Sequence, residues 1–151
     1  MSGSAAGRWP AERLDPESYL APGVDLPVLY NDLDPNHHLN NVAFGRFFEH
    51  ARVVANVGLR KALAGAGNVL VARVAIDYLV EGRFGPPLHV RTRVARIGRS
   101  SVTLEQAAWQ DGACIALAEV VLVHAVGGRS APLPDAVQSV FTPMFIRTRR
   151  V

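Results

Sequence analysis

Four segments in the second half of the chain alternate apolar and polar residues with a period of two, the pattern of half-buried β-strands. They read LVARVAIDYLVEG, LHVRTRVARI, SVTLEQAAWQ and ACIALAEVVLVHAV. The short turns GRFGPP, GRS and QDGA separate them, and links this short join antiparallel neighbours. The last segment is apolar on both faces over Val120–Val123, so we expect it inside the sheet.

A long helix is predicted before these strands, from about Asn41 to Val57. Asn40 or Asn41 is a good N-cap, and Gly58 is a plausible end. Apolar side chains occupy nearly the whole circumference of this helix, which is typical of a buried helix. Because one concave sheet cannot cover every side of it, we expect a homo-oligomer, either a dimer or a tetramer.

The remaining segments complete a single-domain organisation. Residues 1–24 are rich in Ala, Gly, Ser and Pro and predict a flexible N-terminal arm, with one turn around Pro16–Tyr19. The stretch VLYN at 28–31 predicts a short strand. Residues 25–151 therefore form one α+β domain, in which a curved antiparallel sheet wraps around a long central helix.

Composition places this domain among ordinary folded proteins. The chain has 151 residues, of which 49% are hydrophobic and 19% charged, so it can bury a sizeable core. No apolar run reaches the roughly 20 residues that span a bilayer, and the first residues lack the apolar centre of a secretory signal. With a single cysteine, Cys114, the chain can form no internal disulfide. We expect a cytoplasmic protein without a membrane partner.

The net charge of +3 and the pI near 9.6 raise the question of nucleic-acid binding. The 16 basic residues are fifteen arginines and one lysine, and they are scattered except in the tail RTRR. No groove-reading motif accompanies them, so no nucleic-acid partner is expected. A mildly basic surface suits an acidic ligand such as a phosphorylated carrier or an acidic carrier protein.

The polar decapeptide DLDPNHHLNN, residues 32–41, precedes the predicted helix and carries the candidate chemistry. It fails as a calcium loop, because His37 stands where an EF-hand needs Gly and Ala43 where it needs Glu. A transition-metal site lacks a further His or Cys cluster nearby, and we expect no metal centre. Helix capping explains one or two of the seven polar residues.

A catalytic loop is the alternative that uses the whole decapeptide. A helix N-terminus offers free backbone N–H groups and the positive end of a dipole, which can hold a developing oxyanion. A carboxylate placed just before it can attack a carbonyl or activate water. The apolar helix behind supplies a dry wall for an acyl group.

The stretch DLDPNHHLNNVAFGRFFEHAR resembles the D-x-D-x-x-G-H-x-N-N…Y…E-x-A-R signature of hotdog-fold acyl-CoA thioesterases of the 4-hydroxybenzoyl-CoA thioesterase-like group. Its first half is closer to the D-L-D-x-N-x-H-x-N-N-V of plant acyl-ACP thioesterases. The resemblance covers roughly residues 26–134 and is most specific in the decapeptide. It implies the hotdog fold, in which an antiparallel sheet wraps a long helix, and a site formed between subunits.

The resemblance also implies roles for individual residues. Asp34 falls on the carboxylate that bacterial members use as nucleophile or general base, and Asn41 falls where a backbone amide polarises the thioester carbonyl. Asn36 and His38 match active-site residues of the plant enzymes. In those enzymes the catalytic Glu ends a strand reading L-E-Y-x-x-E, and IDYLVE places Glu81 there.

Two positions depart from the family pattern. His37 stands where the bacterial pattern has Gly, and Phe44 replaces the usual Tyr. Phe44 and Phe48 are candidates for the wall that binds the acyl group. Arg83 and Arg99 lie in predicted turns and could meet the phosphates of coenzyme A, although both could equally be solvated surface.

Two further residues favour structural interpretations. Glu49 on the helix is expected to pair with Arg46 or Arg52. Cys114 lies mid-strand among small apolar residues and is expected to fill the core rather than act as a nucleophile.

The function predicted from the sequence is hydrolysis of an acyl-CoA or acyl-ACP thioester to a free acid and a thiol. No cofactor is expected, because coenzyme A or the phosphopantetheine of a carrier protein is part of the substrate. Two rivals stay open: a hotdog protein that binds acyl thioesters without cleaving them, and another hotdog enzyme such as an enoyl-CoA hydratase.

Overall fold

The computed structural model describes residues 9–145. It contains four α-helices and six β-strands within that range. The helices are α1 (Ala11–Leu14), α2 (Asn41–Ala55), α3 (Leu59–Leu63) and α4 (Asp135–Phe141). The strands are β1 (Val24–Leu26), β2 (Asn68–Tyr78), β3 (Leu88–Ile97), β4 (Ser101–Gln110), β5 (Ala113–Val126) and β6 (Arg129–Ser130).

A curled antiparallel sheet organises the domain. The strands lie in the order β1-β3-β4-β5-β2, and β6 pairs with β5. The four strands predicted from the alternating pattern are β2 to β5, and the tight links between β3, β4 and β5 pair them as neighbours. β5 lies between β4 and β2, which confirms the interior position predicted from its apolar character on both faces.

The long helix α2 packs one face on this sheet. Its buried side chains include Phe44, Phe47, Phe48 and Ala51, each no more than 3% exposed. Burying each phenylalanine contributes about 1.5–3 kcal/mol before entropy costs. Val42, Val53 and Val54 of α2 are exposed, and so is Val57 just beyond the end of the helix. The sequence predicts burial around nearly the whole helix, but within a single chain only one face is buried.

The described part of the N-terminal segment packs on the outer side of the sheet, which differs from the flexible arm predicted over residues 1–24. Tyr19 is 2% exposed, and its hydroxyl donates to the carbonyl of Arg13. Arg13 in turn pairs with Glu105 of β4 at 3.2 Å. The prediction rested on local composition, whereas long-range contacts with the sheet order residues 9–21.

Two local predictions also differ from the structure, and a third element has no counterpart among the predictions. The short strand is β1 at Val24–Leu26, because that segment pairs with β3, and Tyr30–Asp32 forms a 3₁₀ turn instead. α2 ends at Ala55, and α3 follows as a separate short helix. α4 was not predicted, since seven residues after a proline-rich stretch show little period of their own. None of the helices within residues 9–145 has the length and apolar character that crossing a membrane requires.

Candidate active site

The decapeptide forms a tight loop that Asp32 fastens to its surroundings. Asp32 is 6% exposed, and its Oδ2 accepts a hydrogen bond from the amide of Leu29 at 2.8 Å. Its Oδ1 pairs with Nη2 of Arg46 on α2 at 2.6 Å. Both oxygens of Asp32 are thus engaged in joining the loop to the helix, so this carboxylate is structural.

Asp34 is the centre of the loop's hydrogen bonding. Its Oδ1 accepts from the amides of Asn36 at 2.8 Å and His38 at 3.0 Å. Its own amide donates to the carbonyl of His38, and its carbonyl accepts from the amide of His37. In the part of the chain that the structure describes, Oδ2 of Asp34 accepts no hydrogen bond. One carboxylate oxygen therefore braces the turn while the other remains free for chemistry.

His37 adopts a left-handed backbone conformation, with φ of +62°. This explains why the family pattern has glycine at the position, since glycine reaches positive φ without steric cost. The side chain of His37 is exposed and does not line the cleft described below. The substitution of Gly by His therefore keeps the loop's path and does not crowd the site within this chain.

The start of α2 presents a free amide beside this loop. The side chain of Asn40 accepts a hydrogen bond from the amide of Val42 at 2.9 Å, which makes Asn40 the N-cap. The amide of Asn41, the first helical residue, has no acceptor among residues 9–145. It lies at the positive end of the helix dipole and is suited to hold an oxyanion.

Tyr78, at the end of β2, ties the sheet to the start of the helix. Its hydroxyl donates to the carbonyl of Asn41 at 3.0 Å, and its ring meets Phe44 edge-on at 5.3 Å between centroids. In the alternating pattern of LVARVAIDYLVEG, Tyr78 falls on the apolar face of the strand and carries no other signal. The signal that could have found it is the position of a tyrosine three residues before the candidate Glu81.

Glu81 reaches the loop through His38. Nε2 of His38 lies 3.3 Å from Oε2 of Glu81, and the two side chains are 42% and 74% exposed. The backbones are joined as well, because the amide of Leu39 donates to the carbonyl of Gly82 at 2.8 Å. A Cβ added to Gly82 would lie 3.0 Å from Leu39, so this crossing favours glycine.

These groups surround a cleft of about 400 Å³ between the loop, the helix start and the end of β2. All five predicted catalytic residues line it, together with the predicted wall residue Phe44. They are Asp34, Asn36, His38, Asn41 and Glu81. Phe48 lies one turn further along α2, is fully buried and does not line the cleft.

The two predicted phosphate-binding arginines lie in different places. The backbone of Arg83 borders the loop, and its side chain forms an ion pair with Asp111. Arg99 is exposed in the turn between β3 and β4, at the opposite end of the sheet. On β2, Leu70 lies at the end of the sheet near Arg99, and Tyr78 lies at the end near the cleft. The two residues are about 26 Å apart along the strand, at about 3.3 Å per residue. Within one chain, Arg99 does not belong to the cleft.

Two residues with structural interpretations behave differently from each other. Burial raises the pKa of Cys114 to about 11, so the thiol is protonated at neutral pH and suits core filling. Glu49 forms no ion pair within residues 9–145, because Arg46 binds Asp32 and Arg52 binds Gln106. The predicted pairing of Glu49 with Arg46 is therefore wrong, whereas the charge of Glu49 does act on Arg52 and offsets part of the lowering of its pKa by burial. No group of three His, Cys, Asp or Glu side chains that could hold a metal ion occurs in the described residues.

Comparison with known proteins identifies what this arrangement resembles. The model of the thioesterase-like superfamily matches residues 28–141. No curated protein sequence matches this chain.

Among solved structures, a thioesterase from Thermus thermophilus, complexed with coenzyme A and Zn, is 33% identical, with a TM-score of 0.77 over 85% of this chain and 96% of its own. A protein of Pseudomonas aeruginosa is 25% identical, with a TM-score of 0.75 over 88% and 96% of the two chains. A 1,4-dihydroxy-2-naphthoyl-CoA thioesterase from Synechocystis shares the fold at 16% identity, with a TM-score of 0.69 over 80% and 94%.

Proposed function

The chain belongs to the thioesterase-like superfamily and has its hotdog fold, which supports thioester hydrolysis, and we propose that its substrate is an acyl-CoA. The observation that carries the proposal is the placement of Asp34 beside the free amide of Asn41 in one cleft. The similar Thermus thioesterase was solved with coenzyme A, which favours this carrier over an acyl carrier protein.

Asp34 and Asn41 divide the chemistry of the proposed reaction. The free oxygen of Asp34 takes a proton from water, and the hydroxide attacks the carbonyl carbon of the thioester. The negative charge that develops on the carbonyl oxygen is held by the amide of Asn41. Collapse of the intermediate breaks the C–S bond, and the thiolate of coenzyme A leaves and takes up the proton.

Direct attack by Asp34 is the second route that the same geometry allows. The carboxylate then forms a mixed anhydride with the acyl group and expels the thiolate, and water hydrolyses the anhydride. In either route the pair of His38 and Glu81 orients water or the loop, and Asn36 positions the thioester. Neither route needs a redox cofactor.

A hydrolysis assay tests this proposal. The purified full-length protein is incubated with a panel of aliphatic and aromatic acyl-CoAs, and free thiol is measured over time. We expect thiol release with at least one member, abolished by Asp34→Asn. Binding without release would support a non-catalytic acyl-thioester protein, and hydration of an enoyl-CoA without thiol release would support a hydratase. Release only from acyl carrier protein would overturn the choice of coenzyme A.

We also propose that the protein is a homo-oligomer. β2 is an edge strand in the described sheet, pairing with β5 alone, and carries exposed Leu70, Val71 and Val74. Such an edge is a template for pairing with another chain. The exposed valines of α2 add apolar surface nearby. Sedimentation should give at least a dimer at micromolar concentration, and a species of 16.3 kDa would contradict this.

A further inference from the structure

The segment 79–87 links β2 to β3 and brings Glu81 to the cleft. It lies outside the helices and strands, so no continuous β-ladder holds its backbone. Its first residues are fixed by β5, because the amides of Leu79 and Val80 both donate to the carbonyl of Ile115, at 2.9 and 3.2 Å. The position of Glu81 therefore depends on what holds the backbone beyond it.

Gln110, the last residue of β4, holds that part of the backbone. It is 5% exposed, and its Oε1 accepts a hydrogen bond from the amide of Arg83 at 2.9 Å. Its Nε2 donates to the carbonyls of Arg83 and Pro86, each at 2.8 Å. The side-chain amide thus binds both the N–H and the C=O of Arg83, as a residue of a neighbouring antiparallel strand would. The ion pair of Arg83 with Asp111 joins the same two segments, but both side chains are 55% exposed, so it adds little.

Arg83 connects Gln110 to the cleft. Its backbone forms an isolated antiparallel bridge with His38, a residue of the catalytic loop. Glu81 lies two residues before Arg83, and its Oε2 is 3.3 Å from Nε2 of His38. Gln110 does not line the cleft itself. It fixes the backbone from which the exposed side chain of Glu81 extends.

We propose that Gln110 is a positioning residue that keeps Glu81 within reach of His38. All three hydrogen bonds of its side chain go to the backbone of one segment, and a buried polar network that is fully satisfied stabilises a single conformation. If that segment moved away, the buried amide would lose its partners, which is costly. The backbone at Glu81 is therefore fixed, although its side chain is free.

The effect of Gln110 on turnover rests on the proposed function, whereas its hold on the backbone does not. A measurement that needs no substrate therefore comes first, and a kinetic measurement follows it. If no acyl-CoA is hydrolysed, the proposed function fails, and the first measurement alone decides whether Gln110 positions this segment.

Amide hydrogen exchange of the full-length protein, followed by NMR, tests the hold on the backbone. Gln110→Met can make none of the three hydrogen bonds. We expect the amides of Arg83 and Leu39 to exchange about fivefold faster or more, because Arg83 loses its acceptor and Leu39 binds the carbonyl of Gly82 in the same segment. The amide of Leu133, hydrogen-bonded at the opposite end of the sheet, is the reference for global stability. Equal acceleration at Leu39 and Leu133, or none at Leu39, would overturn the proposal.

A double-mutant cycle in turnover separates positioning from general stability. On the best acyl-CoA, Gln110→Met should lower kcat about fivefold, with a smaller change in KM, and by no more than Glu81→Ala does. In the Glu81→Ala background the same change should lower kcat less than about twofold, because the side chain that Gln110 positions is already gone. Losses that multiply in the double variant would show that Gln110 acts independently of Glu81, and the proposal would be wrong.

Gln106→Met is the matched control for this cycle. Gln106 is also a buried glutamine of β4, and its Nε2 donates to the carbonyl of Phe48 and the hydroxyl of Thr92, neither of which lines the cleft. Its replacement should cost stability, and its effect on kcat should be the same with and without the side chain of Glu81. Equal coupling of both glutamines to Glu81 would overturn the specific role of Gln110.

Gln110→Glu keeps the test decisive if Gln110→Met does not fold. A glutamate has the same length and can still accept from the amide of Arg83, but it cannot donate and places a negative charge against the carbonyls of Arg83 and Pro86. We expect the same faster exchange at Leu39 and the same coupling to Glu81. Unchanged exchange at Leu39 together with multiplying kcat losses would contradict the proposal for this variant as well.

Discussion

The two sides of the cleft each contribute one carboxylate, but they hold it differently. On the loop side, Oδ1 of Asp34 accepts two backbone amides, and its backbone makes two further hydrogen bonds within the loop. On the strand side, Glu81 has a side chain that is 74% exposed and meets His38 at 3.3 Å. The first carboxylate is fixed by the backbone, while the second is held by one contact between exposed side chains.

This difference indicates how the two carboxylates share the work. A group that is already ordered loses little conformational entropy when it enters a transition state. Asp34 meets that requirement and keeps its second oxygen free, a few residues before the amide of Asn41. Glu81, whose side chain is 74% exposed, is less constrained and better suited to adjusting water or the loop. We therefore propose that Asp34 carries the chemistry and that Glu81 has a supporting role.

The largest effect is expected from Asp34→Asn, which breaks the loop side of the comparison. Turnover of the best acyl-CoA should fall about a thousandfold or more, in the range for loss of an activating base or nucleophile. An asparagine oxygen can still accept the amides of Asn36 and His38, so the loop should survive. Steady-state kinetics measures the loss.

The control for Asp34→Asn is a comparison of its stability and oligomeric state with those of the wild type. Thermal unfolding and sedimentation should match the wild type, because the bracing oxygen is retained. A variant that keeps most of its turnover would reduce Asp34 to a turn residue. If Glu81→Gln is then inactive, the plant-like assignment of the catalytic carboxylate is correct.

Glu81→Gln should have a smaller effect, on the order of a tenfold loss of turnover, because glutamine can still contact His38 but carries no charge. Turnover should fall more than apparent affinity for the acyl-CoA if Glu81 orients water. A loss as large as that of Asp34→Asn would remove the distinction between the two sides of the cleft.

Tyr78→Phe tests the link between the two sides. It removes the hydrogen bond to the carbonyl of Asn41 but keeps the ring against Phe44. One net hydrogen bond is worth about 1 kcal/mol, so we expect turnover to fall about fivefold. Tyr19→Phe is the matched control, since that hydroxyl also donates to a backbone carbonyl but lies on the outer side of the sheet. Equal turnover losses in the two variants would indicate a general loss of stability.

Much of the fold could be predicted from the sequence, because the periods of two and of 3.6 are local signals. The N-cap region of α2, the strands β2 to β5 and the interior place of β5 follow from such patterns. The packing of Tyr19 and Arg13 on the sheet could not be predicted, because it depends on Glu105, far away in the chain. α4 was not predicted, because it has only seven residues and only two of them, Val137 and Phe141, are buried. So short a helix shows little periodicity in the sequence.

The candidate site was predicted through its motif rather than through any physical pattern. Asp34, Asn36 and His38 are close in sequence, so a single loop brings them together. Glu81 is distant in the chain, and the resemblance alone indicated its place. The sequence does not distinguish Tyr78, because a tyrosine on an apolar strand face is typical of the core. Its hydrogen bond to Asn41 appears only once β2 and α2 are packed together.

The smallest effect on activity is expected at His37, where the loop depends on backbone conformation rather than on a side chain. His37→Gly should leave turnover within about twofold, because the exposed imidazole does not line the cleft, and should change the free energy of unfolding by about 1 kcal/mol or less. His37→Val should cost about 1–3 kcal/mol, since a β-branched residue is strained at a φ of +62°. Turnover and thermal unfolding of the two variants measure this contrast. If His37→Gly instead abolishes turnover while the protein stays folded, the imidazole itself takes part, and the loop side of the cleft contributes more than a fixed carboxylate.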